Sequence, residues 1–96
     1  MFKIGDHIES NTGTQEYIIV DIDEVNKIYI CVDALCGREG KRGIFSGKTS
    51  HNFIGWAHEK DFNICKRNRL PIVDDKYVDE YNLPREWKYN QTLNNK

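Results

Sequence analysis

Tyr17-Ile18-Ile19-Val20-Asp21-Ile22-Asp23 and, after a short break, Ile28-Tyr29-Ile30-Cys31-Val32-Asp33-Ala34 are the two stretches whose reading decides the fold. Both are rich in β-branched and aromatic residues, and both follow the two-residue period that sends successive side chains to opposite faces of a strand. On that period Ile18, Val20 and Ile22 share an inward face with Ile28, Ile30, Val32 and Ala34. Ile19, Asp21, Asp23, Tyr29, Cys31 and Asp33 point away, and the acids mark this second face as the wet one. The same one-sided burial in both predicts an antiparallel hairpin, with Asn26 taking the left-handed conformation in its turn.

Before the hairpin, Phe2 to Ser10 reads as a first strand with Ile4 and Ile8 inward and a bend at Gly5-Asp6. Asn11-Thr12-Gly13-Thr14 is turn chemistry. After the hairpin, Leu35 to Ser50 intersperses Gly37, Gly40, Gly43 and Gly47 with Arg38, Lys41, Arg42 and Lys48. This reads as a basic loop holding one short strand, Gly43 to Ser46. Asn52 to Ala57 returns to strand composition, His58 to Asp61 reads as a single helical or 3₁₀ turn, and Phe62 to Ile64 as a last strand. These elements predict a mainly β protein, a small antiparallel barrel over residues 1–65.

Residues 66–96 read as a C-terminal extension. Pro71 stops a basic connector, Asp74 to Tyr81 has the acidic start of a short helix, and Pro84 ends it. Tyr77, Val78, Tyr81, Leu83 and Trp87 are too apolar for a solvated linker. The segment is expected to pack on the barrel or on a partner.

The 96 residues suit one domain that buries roughly 60–65% of its unfolded surface, too little for a deep enclosed active site. No apolar run approaches a bilayer span and the N-terminus has no leader pattern, so a soluble, cytoplasmic protein is expected. The odd set Cys31, Cys36 and Cys65 argues against a disulfide framework. Net charge is -1, but its distribution is uneven: residues 1–34 carry two Lys against seven acids, and residues 35–70 carry eight Lys or Arg against three. Such asymmetry can steer a charged partner or be neutralised between neighbouring strands.

Chemistry-bearing patterns are sparse. Cys31, Cys36, His51, His58 and Cys65 include metal-ligand types, but only Cys31 and Cys36 approach zinc-knuckle spacing, so no metal or cofactor is predicted. Cys36 with His51 or His58 lacks any local signature of a nucleophile. Gly43 and Gly47 miss the phosphate-loop spacing by one residue. A non-catalytic binding module is therefore expected, with partner-binding candidates Arg38, Lys41, Arg42, Lys48, Trp56, Arg85 and Trp87. Trp and Arg are the residue types enriched at protein hot spots, and Tyr29 is a further exposed aromatic on this reading. A protein partner comes first. Nucleic acid held by the 38–48 loop beside Phe45, Phe53 and Trp56 is the alternative, and a small molecule in the barrel mouth a third.

Lys3, Gly5, Asp6 and Ile8 at the start, with Trp56, Glu59, Asp61, Phe62 and Ile64 at the end, resemble the pattern of small SH3-like barrel proteins of phages and prophages. The resemblance covers about residues 1–65. It implies the SH3-like form of the barrel, no shared catalytic residues, and a phage-encoded protein directed at a host factor. Basic loops of KOW- and Tudor-like barrels would carry the nucleic-acid alternative.

Overall fold

The hairpin predicted from the sequence forms, but both of its faces are buried. In the computed structural model, which describes residues 1–36, 49–66 and 70–89, β1 (His7–Ser10), β2 (Glu16–Asp23) and β3 (Ile28–Asp33) are consecutive antiparallel strands. After β4 (Leu35–Cys36), β5 (Asn52–Gly55) adds to β3 and β6 (Phe62–Ile64) adds to β1. The result is a five-stranded antiparallel sheet in the order β5-β3-β2-β1-β6. A 3₁₀ turn, Trp56–Asp61, carries the chain from one edge strand to the other. No ladder among the described residues joins β5 to β6, so the sheet is open. A second, two-stranded sheet pairs β4 with β7 (Pro71–Ile72).

Alternation sorts the apolar residues into two clusters on opposite faces of β2 and β3. Ile18, Val20, Val32 and Ala34 belong to one; Tyr17, Ile19, Tyr29 and Cys31 belong to the other. The face assigned to solvent is thus an interior: Ile19, Tyr29 and Cys31 are fully buried beside Ile8 and Ile54. Tyr29 is accordingly no exposed aromatic. A bulge corrects the assignment of Ile22 as well. The register steps from Ile19↔Cys31 to Asp21↔Ile30, leaving Val20 as the extra residue. An unpaired extra residue reverses the parity of the strand beyond it, so Ile22 lies opposite Tyr29 and packs with the second cluster.

The start of the chain also departs from the expected long strand. Lys3 to Asp6 is a turn in which the Asp6 amide donates to the Lys3 carbonyl (3.0 Å) and the Lys3 amide to the Asp6 carboxylate (2.8 Å). Gly5 takes φ +95°, a conformation costly for any other residue. That turn swings Ile4 out of the core, leaving it 60% exposed. In the β2–β3 turn Lys27, rather than Asn26, holds the left-handed conformation (φ 57°). Asn26 is used differently: its side-chain amide (2.9 Å) and backbone amide (3.1 Å) both donate to Asp23. These bonds hold the Asp23 carboxyl below its ordinary range.

Val73, Tyr77, Val78 and Leu83 cover the face made by Ile18, Val20, Val32 and Ala34. Here a short helix, α1 (Asp75–Glu80), presents Tyr77 and Val78 to the sheet. Six residues cannot hold a helix in water; caps and packing do so. Asp74 accepts from the Lys76 amide (3.2 Å) at the N-terminus. At the other end Asn82 takes φ 52° and the Leu83 amide reaches back to the Val78 carbonyl (2.9 Å). That is the Schellman arrangement, with its apolar contact supplied by Leu83 and Val78 in the same cluster. Beyond Pro84 a 3₁₀ turn, Arg85–Trp87, returns the chain so that the Val73 amide donates to the Trp87 carbonyl (2.8 Å).

If this cover is part of the core, Leu83→Ala should lower unfolding free energy by about 2–4 kcal/mol. Val25→Ala, at an 89% exposed turn position, should stay within about 0.5 kcal/mol. Urea unfolding of both variants checks the contrast.

Candidate functional site

The two edges of the open sheet face a groove of about 460 Å³, within the range of small-ligand and peptide sites. Strand β5 contributes Phe53 and Ile54, and β6 contributes Phe62. Asn11, Thr12 and Gln15 of the β1–β2 turn line it as well, as do His58 and Asp61 of the 3₁₀ turn. Phe53 is 66% exposed although it is a large aromatic on a strand. The lining combines apolar side chains with amide, hydroxyl, imidazole and carboxylate groups.

The polar part of the lining is built by short-range hydrogen bonding. The Ser10 hydroxyl accepts from the amides of Thr14 and Gln15 (both 3.2 Å), which folds the turn over the end of β1. The Asn11 side chain then donates to the Lys60 carbonyl (2.8 Å), and its amide donates to the Asp61 carbonyl (2.9 Å). Asn63 donates to Asn11 from β6 (2.6 Å). The β1–β2 turn and the 3₁₀ turn are therefore clipped together. His58 Nδ1 lies 3.6 Å from the Asp61 carboxylate, with both side chains exposed.

Behind the 3₁₀ turn, Tyr29 fixes its position. Its ring packs at 5.6 Å from Phe2 and 6.0 Å from Trp56, and its hydroxyl donates to Glu59 (2.5 Å) while accepting from the Phe2 amide (3.2 Å). Burial, then the bond to Glu59, raises the Tyr29 pKa. The same bond is the main reason the Glu59 carboxyl ionises below its ordinary range. Trp56 lines a second, shallower depression with Phe2, Phe62 and Ile64. Its indole Nε1 is buried with no hydrogen-bond partner among the described residues, a cost of about 1–3 kcal/mol.

The residues singled out from the sequence fall in three places. Arg38, Lys41, Arg42 and Lys48 lie outside the described residues, as does the short strand expected at Gly43 to Ser46. Trp56 sits on the Tyr29 side of the sheet. Trp87 packs half-buried against the cluster under α1, and Arg85 is exposed beside Asp79 (3.5 Å). Trp56 is thus not brought together with Arg85 and Trp87. Phe53 and Phe62 carry the groove instead, and the signal for them is that β5 and β6 are both edge strands.

Of the metal-ligand types considered, Cys31 is buried and its thiol is pushed up to about 12 by desolvation, which disfavours the thiolate. His51 is held between Tyr77 and Tyr81 and shares a hydrogen bond with the Tyr81 hydroxyl (2.5 Å). Cys65 stands apart from both, beside Glu9 at the end of β6 (3.9 Å). No protein-family model, curated protein or solved structure matches the chain.

Because the folded-state pKa of Glu59 is depressed, its contribution is present above the unfolded value of about 4.3 and lost as pH falls through the folded value. Tyr29→Phe should therefore cost about 1–2 kcal/mol at neutral pH. Its deficit against the parent should narrow below about pH 4. Chemical unfolding of both proteins across the acid range measures this.

Proposed function

We propose that this protein is a non-catalytic, SH3-like binding module whose groove between β5 and β6 receives an extended segment of a protein partner. The observation that carries the reading is Phe53, a strand aromatic left 66% exposed at the mouth of a groove bordered by two edge strands. Edge strands offer unpaired backbone donors and acceptors, and an extended peptide can satisfy them while its alternate side chains enter pockets. Phe53 and Phe62 supply apolar contact and Asn11, Gln15, His58 and Asp61 supply polar complement. Protein interfaces combine apolar and polar groups in this way.

The strand order, with a 3₁₀ turn linking the edges, supports the SH3-like reading and agrees with the resemblance carried by Gly5, Asp6 and Trp56. That resemblance extends the proposal to a phage-encoded protein that engages a host factor in the cytoplasm. Its odd cysteine count suits a reducing compartment.

Selection from a displayed random-peptide library should yield binders whose affinity falls about tenfold or more in Phe53→Ser, with Arg85→Ala unaffected. Failure to enrich any peptide, or equal binding by Phe53→Ser, would contradict the assignment. A mobility shift that weakens steeply with salt would instead favour nucleic acid.

A further inference from the structure

On the sheet face that carries Ile18, the register of three strands sets metal-binding side chains together at the β6-β1-β2 end. His7 lies opposite Ile18, Glu9 opposite Glu16, and Ile8 opposite Ile64. The Cys65 amide donates to the His7 carbonyl (2.8 Å), which continues the β1–β6 pairing by one residue. Directly opposed residues share a face, so Cys65, His7, Glu9 and Glu16 form a compact patch across three neighbouring strands. One potential ligand atom from each of His7, Glu16 and Cys65 lies within 4.8 Å of the other two.

We propose that His7, Glu16 and Cys65 bind a divalent transition-metal ion, zinc by the chemistry of the donors, with Glu9 beside them as a fourth donor. An imidazole, a thiolate and a carboxylate form the borderline-soft donor set that zinc takes in tetrahedral sites. Magnesium or calcium would call for oxygen donors throughout. Tetrahedral zinc sets its donors roughly 3.2–3.8 Å apart, so the present trio closes onto a metal by small side-chain rotations. His7 Nε2 is already 2.9 Å from Glu16, and Glu9 is 3.9 Å from the Cys65 sulfur.

Glu9 and Glu16 are directly opposed on adjacent antiparallel strands, which sets both carboxylates on the same face as His7. The site is also sheltered, with the side chains of His7 and Glu16 only 14% and 11% exposed. A strongly hydrated surface cluster would compete poorly with water; a sheltered one on rigid strands holds its donors in place.

Titration of the full chain with Co²⁺, used as a spectroscopic stand-in for zinc, tests the site. One equivalent should produce tetrahedral d–d bands and a thiolate-to-metal charge-transfer band, both abolished by stoichiometric Zn²⁺. Cys65→Ser should remove the charge-transfer band, and His7→Asn or Glu16→Gln should weaken Zn²⁺ binding by about tenfold or more. Cys31→Ser and Cys36→Ser should leave both signals intact. Circular dichroism establishes that each variant is folded, and the Glu16→Gln measurement carries the test if Cys65→Ser does not fold. Absence of the bands in the folded parent, or a charge-transfer band that survives Cys65→Ser, would overturn the proposal.

Discussion

Everything in this structure depends on the β2–β3 ladder having apolar side chains on both of its faces. Two strands flanked by one core can leave the other face to water; these cannot. Ile18, Val20 and Val32 would be exposed without the segment from Val73 to Leu83, and Ile19, Tyr29 and Cys31 without the curl of β1, β5 and the 3₁₀ turn. Each fully buried aliphatic or aromatic side chain contributes about 1.5–3 kcal/mol, so neither cover is dispensable in so small a protein. The bulge at Val20 serves this arrangement, because it keeps Ile18 and Val20 on one side while turning Ile22 to the other.

That constraint also places the groove and the ionisable cluster. Curling the sheet around Tyr29 brings β5 and β6 toward one another, and the Tyr29–Glu59 bond fixes the 3₁₀ turn that bridges them. The gap left between these edges is the groove in which Phe53 stands exposed. On the opposite face the helical cover occupies the part of the sheet formed by β2 and β3. His7, Glu9, Glu16 and Cys65 gather toward the β1 and β6 side of that same face, where polar residues replace the aliphatic ones.

Much of the local structure is legible in the sequence because it is encoded over short distances. The β2–β3 hairpin, the strand Phe62–Ile64 and the acidic cap at Asp74 are all set by residues close in the chain. What the sequence hides is long-range. A wet face inferred from Asp21, Asp23 and Asp33 overlooks that the acids lie toward the strand ends or beyond the bulge, while Ile19, Tyr29 and Cys31 fill the interior between them. Ile4 reads as inward by period, yet the turn at Gly5 sends it outward. The groove and the His7, Glu16 and Cys65 trio depend on pairings between residues far apart in the chain, which no local pattern prescribes.

If both faces of the β2–β3 ladder must be covered for the chain to fold, a chain ending at Leu70 should fail to do so. Its thermal unfolding, monitored by near-ultraviolet circular dichroism, decides the matter. Without Val73, Tyr77, Val78 and Leu83 the expected result is no cooperative transition and loss of the ordered-aromatic signal. A cooperative transition at the midpoint of the full chain would show instead that the sheet stands with one face open, and the two-sided requirement would be wrong.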